Sequence, residues 1–181
     1  MATTARATIA DLYAVPGKAE LVDGQVQLMS PSGYRPGIAD LAIAVSLREH
    51  QRRTRTGVAL GDNVGFRVRL PGRESFSPDA AYYTGKPTGM KFLEGAPVFA
   101  AEVRSEGDYG PAAEAAMRRK RAEYFEAGTL VVWDVDLLSD DPVRVYRASD
   151  PDTPTIYRRG DLAEAEPAVP GWRMPVDEIF E

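Results

Sequence analysis

Three charged residues stand among apolar neighbours. Asp79 follows Pro78 at the start of SPDAAYY, Glu102 lies inside PVFAAEVRS, and Lys120 falls in PAAEAAMRRKRAEYFEAG. A carboxylate within an apolar strand must be paired, protonated or bound to a cation, because burying an isolated charge is costly. Two such acids beside an amine could hold a divalent metal, acidify a water and counter the charge that develops at an attacked phosphorus. That is the chemistry of metal-dependent phosphodiester cleavage. Helical counting puts Ala113, Ala116, Met117, Lys120, Tyr124 and Ala127 on one stripe, so Lys120 lies on or beside the inward face while Arg118, Arg119 and Arg121 point largely elsewhere. Each residue also has a plainer explanation: a turn acid at Asp79, a solvent-facing position on an edge strand for Glu102, a snorkelling stem for Lys120. Glu20, at the start of another strand-like segment, could add a carboxylate. Arg104, two residues beyond Glu102, shares its strand face; it stays protonated and so is a poor general base, but it could bind phosphate.

Composition narrows the choice of metal. The chain has no Cys and one His, His50, which excludes thiolate sites, disulfides and a multi-histidine centre within one chain. Oxygen ligands remain, and with them hard cations such as Mg2+ or Mn2+. The net charge of -5, from 27 acids against 22 bases, argues against a generally basic nucleic-acid-binding surface. Positive charge is nevertheless concentrated in QRRTRTG at 51–57 and RRKR at 118–121. MATTARATIADLY lacks a long apolar core and no run approaches the roughly 20 apolar residues of a membrane span, so a soluble cytoplasmic protein is expected. A length of 181 residues suits one compact domain, residues 1–181.

These residues need elements to position them. TIADLYAV at 7–14 carries a Thr cap signal and predicts a short helix stopped by Pro16-Gly17. AELVDGQVQLMS alternates about Asp23-Gly24 and reads as a tight hairpin, with Glu20 near its beginning. After the SPSGYRPG loop, IADLAIAVSLREHQRR predicts a long helix with apolar positions at Ile38, Leu41, Ala42, Val45 and Leu47. NVGFRVRL is a half-exposed strand, and PGRES turns the chain. SPDAAYY and PVFAAEVRS have the composition of central strands covered on both faces, joined by a glycine-rich loop. Pro111 opens a second long helix with Glu114 in its first turns and Gly128 as its stop. LVVWDVD is a further buried strand. PVRVYRAS and TPTIYRRG follow as alternating strands split by DPDTP, and a tail, VPGWRMPVDEIF, packs Trp172, Met174, Val176 and Phe180 on the body. The pattern is an α/β or α+β fold, with a central mixed sheet, flanking helices and an N-terminal hairpin.

At AELVDGQVQLMSP, SPDAAYY, FAAEVRSEGD, KRAEYFEAGTLVVWDVD and the closing PGWRMPVDEIF, the chain resembles the Uma-two family. These are bacterial restriction-endonuclease-like proteins of the PD-(D/E)XK nuclease superfamily, and the likeness spans nearly the whole chain. It implies a restriction-endonuclease-like core in which Asp79 and Glu102 are metal ligands and Glu20 is the third acid. The superfamily's usual Lys, two residues after the second acid, is Arg104 here, so the resemblance gives the amine's role to Lys120. Members often carry a His just after the SPSG-like loop, where this chain has GYRPG. Arg35 stands there, and with Arg104 it is a candidate for substrate contact.

The expected activity is that of a Mg2+- or Mn2+-dependent endonuclease acting on DNA, with a homodimer as one way to cut two strands. One alternative is a catalytically inactive nucleic-acid-binding or protein-interaction module that retains the fold. Another makes Glu102 and Lys120 a buried structural ion pair.

Overall fold

Strand composition and edge position explain most of the architecture. In the computed structural model, which describes residues 6–181, a short helix α1 (Ile9–Tyr13) is closed by a capping box between Thr8 and Asp11. A hairpin follows, β1 (Ala19–Val22) and β2 (Gln25–Leu28), turning at Asp23-Gly24, both with positive φ. The remaining elements are α2 (Tyr34–Thr54), β3 (Val58–Leu60), β4 (Phe66–Leu70), β5 (Arg73–Phe76), β6 (Ala80–Tyr83), β7 (Leu93–Glu94), β8 (Phe99–Val103), α3 (Pro111–Glu126), β9 (Val131–Val135), β10 (Val143–Arg147), β11 (Asp150–Tyr157), β12 (Leu162–Glu164) and β13 (Arg173–Pro175). A 3-10 turn at Val176–Phe180 ends the chain. The expectation at residues 1–5 lies outside the described residues. Among the described residues no helix is long and apolar enough to cross a membrane.

The fold is a mixed α+β arrangement. A six-stranded sheet runs β11-β10-β9-β8-β6-β3, with β8 and β9 parallel and the other neighbours antiparallel. A second sheet runs β2-β1-β5-β4-β7, and β12 pairs with β13. Strands β6 and β9 are buried along their whole length, as expected of strands covered on both faces. Alternation assigns their side chains to two cores. Ala80, Tyr82, Phe99, Ala101, Val131 and Trp133 pack with α2 and the C-terminal segment, whereas Ala81, Tyr83, Ala100 and Val132 pack with Phe66, Phe76 and Tyr124 of α3. Glu102 and Arg104 follow Ala100 at two-residue steps, and so turn toward α3.

Several local expectations are revised. Helix α2 begins at Tyr34, inside the anticipated loop, because Pro36 falls in its first turn, where no intrahelical N–H bond is lost. Its buried stripe is Ala39, Asp40, Ile43, Leu47 and His50, so Leu41 and Val45 are exposed. The turn in PGRES is confined to Pro71-Gly72, and Arg73–Phe76 is a strand with buried polar members. DPDTP does not split the last hairpin. The turn falls at Ala148-Ser149, and Pro151 and Pro154 sit in β11, an edge strand that tolerates missing N–H groups. In the tail, Trp172 is fully buried and stacks on Trp133 with ring centroids 4.9 Å apart.

Candidate active site

Strand β8 carries Glu102 to the side covered by α3. There its two oxygens are bound separately: Lys120 Nζ donates to Oε2 at 2.8 Å and the Tyr124 hydroxyl donates to Oε1 at 2.6 Å. Both donors come from α3, one turn apart, so the inward phase of Lys120 is a property of the folded chain. Lys120 Nζ also lies 2.9 Å from Glu20 Oε1. Glu20 is buried on β1, where the Ser77 N–H donates to the same oxygen at 2.8 Å and Arg73 Nη1 donates to Oε2 at 2.6 Å. Arg73 in turn reaches Glu123 of α3 through Nε, and its guanidinium stands 4.9 Å from the Phe76 ring centroid. A chain of alternating charges thus runs Glu102, Lys120, Glu20, Arg73, Glu123 and ties both sheets to α3.

Asp79 lies just before β6 and extends its pairing with β8, since its N–H donates to the Ala101 carbonyl at 3.1 Å. Its Oδ2 accepts from the N–H of Val103, the neighbour of Glu102, at 2.7 Å. Its Oδ1 accepts from Lys18 Nζ at 2.6 Å, and the same ammonium is 2.6 Å from Asp62 Oδ1. Lys18, Glu20, Asp79, Glu102, Arg104 and Lys120 all line one cleft of about 510 Å³.

The electrostatics follow from this crowding. Burial pushes the Glu102 carboxyl up, Lys120 opposes the shift, and the negative charges of Asp79 and Glu20 reinforce it, leaving a pKa of about 7. Burial also works against charge on Lys120, but Glu102 and Glu20 outweigh it and hold the ammonium above the ordinary lysine range. Glu20 goes the other way: burial is overcome by Lys120 and Arg73, and its pKa is lowered. Tyr124 is pushed well up by burial and by the two glutamates, so its hydroxyl remains a donor.

The carboxylates of Asp79 and Glu102 are hard oxygen donors, the class a dication such as Mg2+ takes, and each of their oxygens is engaged by a protein donor. Asp79 and Glu102 present oxygens to a common cleft, and their mutual repulsion is part of what raises Glu102. A cation shared between them would relieve that repulsion.

The two arginine candidates differ in placement. Arg104 is buried, donates through Nε and Nη2 to both oxygens of Asp134 at 2.8 Å, and is also paired with Glu114. Its donors are directed to Asp134, which also lines the cleft, and to Glu114. Arg35 is exposed in the first turn of α2 and is not among the residues lining the cleft. Sequence reasoning missed Lys18, Arg73, Asp40 and the bond from Tyr124. Only Tyr124 had a readable signal, since it stands with Lys120 on the inward stripe of α3.

The sheet order and the cleft define a mixed α+β protein with a charged cleft against α3. Over 96% of this chain and 97% of the other, the fold matches the crystal structure of a "putative nuclease belonging to DUF820" from Anabaena variabilis ATCC 29413, with a TM-score of 0.74 and 14% sequence identity. The chain belongs to the Uma2 family, described as "Putative restriction endonuclease", whose profile matches residues 9–177. A search of the curated proteins finds no match.

Proposed function

We propose that this is a cytoplasmic, metal-dependent DNA endonuclease that hydrolyses phosphodiester bonds in the cleft lined from β1, β8 and α3 and by Asp79. The observation that carries the proposal is the meeting of Glu20, Asp79, Glu102 and Lys120 in one cleft, from β1, the segment before β6, β8 and α3. Asp79 and Glu102 would hold Mg2+ or Mn2+. When bound, such an ion supplies a Lewis acid for the phosphate and lowers the pKa of a water.

The chain's own residues do the rest. Lys120, held charged between two carboxylates, orients the attacking water and offsets the negative charge that builds on the phosphoryl oxygens. Glu20 keeps that ammonium in place and is itself fixed by Arg73 and the Ser77 N–H. Tyr124 and the Val103 N–H each hold one oxygen of Glu102 and Asp79, respectively, leaving little rotamer freedom to be lost when the site assembles. A homodimer would present two such clefts to two strands.

The purified chain is expected to cut plasmid DNA with added Mg2+ or Mn2+ and to lose all cutting when the ion is chelated. Absence of cutting across single-stranded, double-stranded and plasmid DNA would sink the proposal.

A second reading has its own support. Lys120, Tyr124 and Lys18 engage the oxygens of Glu102 and Asp79, which is what a structural ion-pair network in an inactive module requires. DNA binding that survives both chelation and loss of the two acids would favour it.

A further inference from the structure

A second group of acids meets at Asp79. Asp40 projects from α2, Asp62 from the loop between β3 and β4, and Asp79 from the start of β6. One carboxylate oxygen of each lies within 4.8 Å of the others, a spacing that three ligands of one hard cation can adopt. Such a cluster alone is common on protein surfaces. Here Asp40 is 6% exposed, and its Oδ1 has no hydrogen-bond partner. A buried carboxylate oxygen left unsatisfied is costly and marks a place where a ligand is due.

Lys18 shows where positive charge settles. Its ammonium is 2.6 Å from both Asp62 and Asp79, yet it makes no bond to Asp40. It reaches in from the segment just before β1 and lines the open cleft. A side chain so placed can swing outward without disturbing a strand.

We propose that Asp40, Asp62 and Asp79 form a second site for a hard divalent cation, sharing Asp79 with the Asp79/Glu102 site, and that Lys18 is its displaceable occupant. Binding moves the ammonium out and gives Asp40 the partner it lacks. Lys18 therefore competes with the metal and sets its affinity.

The test uses Mn2+ alone on the full chain, with free ion measured by electron paramagnetic resonance. Asp62→Asn, on an exposed loop, and the isosteric Asp40→Asn should each remove one bound Mn2+ or weaken it at least tenfold, while Glu102→Gln retains that ion. Lys18→Met should tighten the same ion at least tenfold. Unchanged Mn2+ binding in Asp62→Asn and Asp40→Asn, with circular dichroism confirming the fold, overturns the proposal; so does unchanged or weaker binding in Lys18→Met. Because binding is read without substrate, failure here is distinct from failure to cut DNA.

Discussion

Lys120→Met is expected to lower the DNA cleavage rate by about 10²- to 10³-fold, the usual cost of removing one preorganised charge at a phosphoryl or acyl transition state. The substitution keeps the length of the side chain, so the helix face on which Met117 and Tyr124 lie should still pack. What disappears is the ammonium between Glu20 and Glu102. Both acids then face each other with less compensation. Lys120 is the charge that most lowers the Glu102 pKa, so its loss moves that carboxyl further up and favours the protonated form near neutrality. Protonation limits the damage to stability while weakening the metal site. Lys120→Arg should recover stability but only a small part of the rate, because a planar guanidinium cannot take the place of a compact ammonium between two carboxylates. Single-turnover cleavage rates, with urea denaturation on the same samples, separate the two effects.

Arg73→Met is expected to destabilise the fold by about 3–5 kcal/mol, as removal of one partner from a buried charge network does. Arg73 is buried and bonded to two carboxylates, Glu20 from β1 and Glu123 from α3. Its loss leaves Glu20 with Lys120 and the Ser77 N–H, and leaves Glu123 to Arg119, whose Nε lies 2.8 Å away on the surface. The sheet containing β1 and β5 would then be less firmly tied to α3. Glu123→Gln should cost less, since an amide can still accept from Arg73 and the Arg73–Glu20 pair is untouched. Urea midpoints for the two variants check the order, and equal midpoints for Arg73→Met and the wild type would contradict it. If Lys120 depends on Glu20 for its position, Arg73→Met also lowers cleavage at denaturant-free concentrations where the fold is intact.

Much of this organisation was legible from residue order, for definite reasons. Glu102 stood out because its neighbours Val98, Phe99, Ala100, Ala101 and Val103 are apolar, and period-two alternation carried it with Ala100 to the α3 face. The phase of Lys120 could be counted because α3 is regular from Pro111 to Glu126. Arg73 was hidden for the opposite reason. Its strand contains Arg, Glu and Ser and opens after Pro71-Gly72, so it lacks hydrophobic alternation, and its burial depends on carboxylates 50 and 53 residues away in the chain. Lys18 carries no local signal either, since its two partners come from loops after β3 and before β6. On α2, apolar residues occupy more than one face, and only packing against the six-stranded sheet selects Ala39, Ile43 and Leu47 over Leu41 and Val45. Tertiary charge pairs and the choice between competing apolar faces are what residue order alone leaves open.

The most direct measurement is cleavage of DNA with Mg2+ by the wild-type chain beside Asp79→Asn and Glu102→Gln, all three matched by circular dichroism. Wild-type cutting that is abolished by chelation, with loss of cutting in both variants at unchanged fold, is the expected result. Cutting by both variants at the wild-type rate, or DNA binding without any cutting in all three, would contradict a metal-dependent nuclease site at Asp79 and Glu102.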